Sequence, residues 1–370
     1  MRLTCVVGAR PNFMKVAPVL RAAERAQNVQ TRLVHTGQHY DERLSKLFFD
    51  ELGLPEPHAY LGVGSGSHAA QTARVMMTFD EDLDTHPTDV VVVVGDVNST
   101  IACALVAVKR GIAVAHIEAG LRSRDRTMPE EINRLLTDQI SDYLFTTERS
   151  AGDNLLSEGI PADKIHFVGN VMIDTLLEHR DRAAQRGILQ KLALRSRDYA
   201  LCTLHRPSNV DTIADAENTV RVVQSIASRI PVLLPLHPRT RTRLATFGLL
   251  EQMEQSGISI VDPLGYLDFL ALMDNARLVF TDSGGVQEET TVLGVPCLTF
   301  RENTERPITV TEGTNRIVGT DSARVAAALD DVLKSDGRGQ HRVPELWDGR
   351  SADRILQVLI THASNRPGDA

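Results

Sequence analysis

Short runs of β-branched and aliphatic residues recur along this chain, separated by longer stretches in which apolar residues return every three or four positions. The short runs predict strands at Leu3–Val7, Gln30–His35, Val90–Val94, Ala113–Ile117 and Tyr143–Thr146 in the first half. In the second half they predict strands at Ala200–Leu204, Val232–Leu236, Ile258–Val261, Leu278–Phe280 and Cys297–Phe300. Val90–Val94 is an unbroken valine run, which suits a central strand covered on both faces. Strands alternating with helices predict an α/β fold with parallel sheets. Two sets of strands predict two Rossmann-like, doubly wound domains facing a central cleft. The expected division is 1–168 plus about 352–370 for the N-terminal domain and 169–351 for the C-terminal one. Val168–Val171 would begin the crossing, Arg180–Arg197 would form a solvated helix, and Arg350–Ala363 would pack back on the first domain.

Most predicted strands run into a polar group. Val7 leads to Gly8-Ala9-Arg10, Val94 to Gly95-Asp96, Ile117 to Glu118, Leu204 to His205-Arg206, and Phe280 to Asp282-Ser283. Open parallel sheets bind ligands at the carboxyl ends of their strands, so these groups are the candidate chemistry. The sharpest stretch is Leu278–Glu289, a strand, a Ser283-Gly284-Gly285 turn and a helix start. The two glycines let a ligand approach the backbone, and free N–H groups at a helix start suit a diphosphate. Glu288 and Glu289 would repel a bare anion there, but they suit ribose hydroxyls. A diphosphate beside a ribose means a nucleotide.

Composition narrows the partner. At 370 residues with 42% hydrophobic and 24% charged residues, the chain reads as globular, with room for about two domains. A net charge of −8 argues against nucleic acid. No apolar run has the length of a membrane span. Met1–Val7 runs straight into a turn motif, so no leader is expected. Cys5, Cys103, Cys202 and Cys297 lie far apart in apolar segments, which suits buried thiols in a reducing cytoplasm.

The cationic candidates are Arg10 and Lys15 after the first strand, and Arg306 within Phe300–Pro307. For Arg306 the plainer reading is a surface ion pair with Glu302 or Glu305, worth little. Four groups are candidates for proton transfer: Asp96, Glu118, Glu130 and His205. Asp96 and Glu118 end neighbouring predicted strands, and two carboxylates in one cleft raise each other's proton affinity. Glu130 and Glu131 open a predicted helix, where one of them would serve only the helix dipole. The histidines show no metal-ligand spacing, so no metal is expected. GxGxxG and Walker A loops are both absent, so neither a nicotinamide cofactor nor NTP hydrolysis is expected. Gly62–His68 reads as a glycine-rich flap or a flexible connection.

Taken in order, Gly8–Pro11, Thr36–Asp41, Gly95-Asp96, His116–Ser123, Pro129–Arg134, His205–Pro207, Thr281–Glu289 and Thr304–Pro307 resemble the UDP-N-acetylglucosamine 2-epimerase family, from about residue 5 to about 320. The resemblance implies the glycosyltransferase-B architecture with UDP in the interdomain cleft. It implies reversible C2 epimerisation of UDP-GlcNAc to UDP-ManNAc without a metal or cofactor. Arg10, Lys15, Asp96, Glu118 and His205 would contact substrate, and Asp96, Glu118 and Glu130 would be the catalytic carboxylates. Phe269 would lie at the uracil, Ser283, Gly284 and Gly285 at the diphosphate, Glu289 at the ribose, and Arg306 near the phosphates or sugar. Gln38, His39 and Arg206 match part of an allosteric UDP-GlcNAc site found in many bacterial members. This chain departs from the family at Ser208, where many members have Glu, at Leu264, where some have Gln, and in Gly62–His68, which lacks an arginine that some activated members carry. Members of that family are commonly homodimers, so a cytoplasmic homodimer is expected, while the pathway, whether to a polysaccharide or to a specialised metabolite, stays open. The competing readings are a hydrolysing relative releasing ManNAc, a 2-epimerase of a modified UDP-sugar, a retaining glycosyltransferase and a nucleotide-sugar sensor.

Overall fold

The computed structural model describes residues 1–37, 42–335 and 341–364. Its compact units are Met1–Glu178 with Glu345–Ala370, and His179–Pro344.

The first unit contains β1 (Arg2–Val7), β2 (Gln30–His35), β3 (Ala59–Tyr60), β4 (Val90–Val94), β5 (Ala113–Ala119), β6 (Tyr143–Thr146) and β7 (Ile165–Phe167). They form one sheet in the order β3-β2-β1-β4-β5-β6-β7, with parallel pairing throughout. All of β4 is buried, as a valine run at the sheet centre requires. The core beside it joins Val75, Phe79 and Leu83 of the His68–Thr85 helix to Ala102, Cys103 and Val106 of the Asn98–Lys109 helix. The C-terminal helix Ser351–Ser364 packs on the Arg10–Arg25 helix. Its start is fixed by Asp174, whose carboxylate accepts from Ser351 N at 3.1 Å and Ala352 N at 2.7 Å. Trp347, buried just before that helix, donates from Nε1 to Thr147 O at 2.9 Å.

The second unit contains β8 (Ala200–Thr203), β9 (Val232–Pro235), β10 (Ser259–Val261), β11 (Leu278–Thr281), β12 (Cys297–Thr299) and β13 (Asn315–Ile317). Their order is β10-β9-β8-β11-β12-β13, again with parallel pairing. Its core packs Val220, Val223 and Ile226 of the Ile213–Ala227 helix and Val325 and Leu329 of the Ser322–Lys334 helix against Cys202, Leu234, Phe280 and Leu298. Thr212 Oγ1 and an Asp321 oxygen cap those two helices by accepting from Asp215 N and Arg324 N.

The α/β, parallel, twofold pattern expected from the sequence is present, and each predicted strand is found within one or two residues of its expected ends. Three strands have no counterpart in the sequence reading: β3, β7 and β13. Each is two or three residues long and lies at a sheet edge, and all but Asn315 are partly or fully exposed, so the hydrophobic alternation that marks a central strand is missing. The expected helix Arg180–Arg197 is broken. One helix ends at Ala184, Gly187 takes a φ of 66°, and a single turn follows at Ile188–Lys191. All four cysteines are buried and unpaired, and burial pushes the Cys5 and Cys202 thiols up to about 12.

Candidate functional site

In the first sheet the direction of winding reverses between β1 and β4, and this switch point is where open α/β sheets place their ligands. Gly8 leaves β1 in a space with no room for a side chain, since a Cβ would lie 2.4 Å from Ser99 Oγ. Asn12 Oδ1 accepts from Gly8 N at 3.1 Å and from Ala9 N at 2.9 Å. Its Nδ2 donates to Val94 O at 3.2 Å, tying the exits of β1 and β4 together. One turn along the same helix, buried Lys15 makes an ion pair with buried Glu118. Charges this deep are tolerable only when paired.

Glu118 sits at a register shift in β5 with a φ of 72°, in the left-handed region that a side-chain-bearing residue rarely occupies. Strain of this kind costs about 1–3 kcal/mol and gathers at functional sites. Asp96 follows β4 and remains partly open to solvent, with Oδ2 2.5 Å from Arg134 Nη1. Arg134 also binds Glu131 at 2.6 Å. The Glu131 carboxylate accepts from Ser123 N and Arg124 N, both at 2.9 Å. Burial alone would raise its proton affinity, but Ser123 N–H and the Arg134 guanidinium hold it below the usual carboxylate range. Glu130 is half-buried at the second position of the Pro129–Ile140 helix.

The second sheet reverses between β8 and β11. Buried Asp282 organises this point. Its carboxylate accepts from His205 N and Arg206 N at 2.9 Å and from Asn209 Nδ2 at 2.9 Å, and lies 2.7 Å from His205 Nδ1. Burial opposes ionisation, but the His205 ring and these donors hold Asp282 below its ordinary range. Ser283 precedes the Gly284–Leu293 helix, whose first turn has no side-chain cap from it. Such a turn has N–H groups to offer an anion. Gly284 has no space for a Cβ, which would lie 2.4 Å from Arg306 Nη1.

Arg306 is buried, so the ion pair with Glu305 considered for it is present but lies in the interior and not on the surface. Its Nε lies 2.8 Å from Glu288 Oε1 and its Nη1 2.6 Å from Glu305 Oε1. Glu305 also pairs with Arg301 at 2.8 Å. Burial works against the Glu305 charge, but Arg306, Arg301 and Arg206 together hold the carboxyl well below the usual range. Glu288 and Glu289 lie one turn deeper than a helix start. Glu289 accepts from Tyr266 Oη at 3.0 Å, and burial, with some help from the Glu288 charge, pushes it up to about 8. Phe269 is half-buried on the Tyr266–Asn275 helix.

Comparison with known proteins gives a consistent result. The family model described as UDP-N-acetylglucosamine 2-epimerase matches residues 21–360. A protein named UDP-N-acetylglucosamine 2-epimerase from Methanocaldococcus jannaschii is 43% identical, over 97% of this chain and 99% of its own length. The chain belongs to the UDP-N-acetylglucosamine 2-epimerase family. The crystal structure of a Methanocaldococcus jannaschii UDP-GlcNAc 2-epimerase in complex with UDP-GlcNAc and UDP matches with a TM-score of 0.92 at 43% identity, covering 98% of this chain and 100% of that one. A Pseudomonas aeruginosa relative, named UDP-2,3-diacetamido-2,3-dideoxy-D-glucuronate 2-epimerase, is 41% identical over 97% of this chain and 99% of its own length.

For a member of this epimerase family, the expected residues fall into two groups. The first unit brings Lys15, Asp96 and Glu118 together at one switch point. The second unit gathers His205, Arg206, Ser283, Gly284, Gly285 and Arg306 near the other, with Glu289 further along the same helix. Gln38, His39 and the Arg10 side chain lie outside the described residues. Among the described residues, no group of three or more His, Cys, Asp or Glu could hold a metal ion, and no helix is long and apolar enough to cross a membrane. The sequence reading passed over Asn12, Arg134, Tyr266, the anchoring role of Asp282 and the contacts of Glu131 with the turn at Ser123 and Arg124. The available signal was the Glu131–Arg134 spacing, which places both on one helix face.

Proposed function

We propose that this epimerase-family chain interconverts UDP-GlcNAc and UDP-ManNAc without hydrolysing either. The observation that carries the reading is the first-unit cluster, in which strained Glu118 is paired with Lys15 while Asp96 stays partly open to solvent. Two carboxylates at adjacent strand ends supply the two acid/base groups that inversion at C2 requires.

In this mechanism one carboxylate takes the C2 proton while the C1–O bond breaks and its electron pair leaves with UDP. The second-unit helix start at Gly284 and the buried Arg306 stabilise the departing diphosphate. The product of this half-reaction is 2-acetamidoglucal beside UDP. A UDP oxygen then returns to C1 as a second acid delivers a proton to the opposite face of C2. Asp96 and Glu118 fill these roles, with Glu130 as the expected third carboxylate. The Asp282-bound His205, Phe269 at the uracil and Glu289 at the ribose complete substrate binding in this proposal. The names of the 43% identical relative and of the UDP-GlcNAc-bound structure support the substrate. A second reading, a 2-epimerase acting on a more substituted UDP-sugar, draws on the 41% identical relative from Pseudomonas aeruginosa.

The test is UDP-GlcNAc incubated with the protein in D2O and followed by NMR. The expected result is deuterium at C2 with UDP-ManNAc appearing. Free ManNAc with UDP would instead indicate a hydrolysing enzyme, and an inert UDP-GlcNAc that competes poorly with a diacetamido uronate substrate would favour the second reading.

A further inference from the structure

Buried His116 is two residues before Glu118 on β5, and both of its ring nitrogens are engaged. Nε2 lies 2.8 Å from Gly95 O, an atom that can only accept, so Nε2 carries a hydrogen. Nδ1 lies 2.7 Å from Oδ1 of Asp138, which is itself fully buried. The other Asp138 oxygen accepts from Gly120 N at 3.1 Å and pairs with Arg122 Nη2 at 2.7 Å. Arg122 continues to Glu158 at 2.6 Å, so each charge in the chain has an opposite neighbour.

These contacts bracket both candidate acid/base residues. Gly95, with a φ of 66°, immediately precedes Asp96. Its N–H donates to Ile117 O at 3.0 Å, while its carbonyl accepts from His116. Gly95, which leads into Asp96, is thus clamped on both its N–H and its C=O by the two residues immediately preceding Glu118. On the other side of Glu118, Gly120 is held by Asp138, and a Cβ on Gly120 would lie 2.3 Å from Ala151 O. Glu118 keeps its unfavourable φ between two fixed points.

We infer that His116 and Asp138 are positioning residues, joining the Gly95-Asp96 exit to the Glu118–Gly120 turn so that the two carboxylates hold one fixed geometry. The inference rests on the proposed C2 epimerisation. Neither residue reaches substrate in it, so its signature is a loss of kcat with substrate and UDP affinity retained. A misplacement of about 1 Å in a reacting group can cost about 10²-fold in rate.

The experiment compares wild type, His116→Phe and Asp138→Asn. His116→Phe keeps a ring and loses both hydrogen bonds. Asp138→Asn keeps the hydrogen-bonding outline and loses the charge. For each, kcat and KM with UDP-GlcNAc, C2 deuterium incorporation in D2O, UDP affinity by calorimetry and thermal unfolding are measured. The expected result for His116→Phe is a kcat about 100-fold lower, in step with deuterium incorporation, with KM and UDP affinity within about threefold of wild type. Asp138→Asn should fall between the two, about tenfold down. A kcat within threefold of wild type in either variant overturns the assignment, as does a loss expressed wholly in KM or shared by UDP affinity. If His116→Phe does not fold, Asp138→Asn decides by the same criteria. Absence of C2 exchange in wild type would refute the proposed function itself, a distinct outcome.

Discussion

The two switch points share one topology and carry different chemistry. Each sheet winds outward in both directions from a central strand pair, β1/β4 in one unit and β8/β11 in the other. At the first, ion pairs hold carboxylates in place: Lys15 with Glu118 and Arg134 with Asp96. At the second, a buried aspartate fixes the backbone after β8, and a helix starts on glycine beside a buried arginine. The fold supplies a place where strand ends diverge, and the side chains decide what happens there. In the proposed reaction one point moves protons and the other holds an anion. The comparison therefore predicts that lesions at the two points separate turnover from nucleotide binding.

The largest separation is expected at Glu118. Glu118→Gln keeps the side-chain shape and removes the proton acceptor. Turnover and C2 deuterium incorporation should fall about 10³-fold, within the usual span for losing a general acid or base. Calorimetry should find UDP affinity within a few-fold of wild type, because the proposed UDP contacts are in the other unit. A parallel loss of UDP affinity would break the division of labour.

The reciprocal lesion is Gly284→Ala. The new methyl would stand 2.4 Å from Arg306 Nη1 and 2.8 Å from Glu305 Oε1, and Arg306 is already pinned by Glu288 and Glu305. Overpacking of this kind costs about 1–3 kcal/mol. UDP affinity should fall about tenfold or more, measured by calorimetry, and any activity left at saturating substrate should be closer to wild type than that of Glu118→Gln. Unchanged UDP affinity would remove Gly284 from the anion site.

The contrast also explains what was legible in the sequence. The central strands, the parallel class and the adjacency of Asp96 and Glu118 could be read because long apolar runs and strand-end polar residues follow directly from sheet geometry. Residues that act through a long-range partner could not. Asn12 binds Val94 O, Arg134 binds Asp96 across 38 positions, and Asp282 binds Arg206 across 76, and no local periodicity encodes such pairings. Glu130 and Glu131 are adjacent in sequence and share a helix start, yet only Glu131 accepts from the turn at Ser123 and Arg124. The edge strands β3, β7 and β13 were missed for a different reason: half-exposed strands of two or three residues carry almost no hydrophobic pattern.

The smallest expected effect is a pH signature that belongs to the second point alone. Glu289 is buried against Tyr266, its proton affinity raised to about 8 from an ordinary 4.5, first by desolvation and then by Glu288. In the folded, unliganded protein it holds its proton at pH values where the unfolded chain has released it. The sign follows: its stabilising contribution is fully present below about 4.5 and is lost as pH rises through about 8. Glu289→Gln cannot ionise, so thermal unfolding of that variant should change less between pH 6 and pH 8 than wild type does. Binding supplies the second half of the argument. If ribose hydroxyls donate to Glu289, they favour the ionised form, and UDP binding near pH 7 should release a proton. Calorimetry in buffers of different ionisation enthalpy would detect that proton for wild type and not for Glu289→Gln. The same release measured for Glu118→Gln should match wild type, because the raised carboxyl is in the unit proposed to bind UDP. Release that disappears with Glu118→Gln and persists with Glu289→Gln would reverse the assignment of the two switch points.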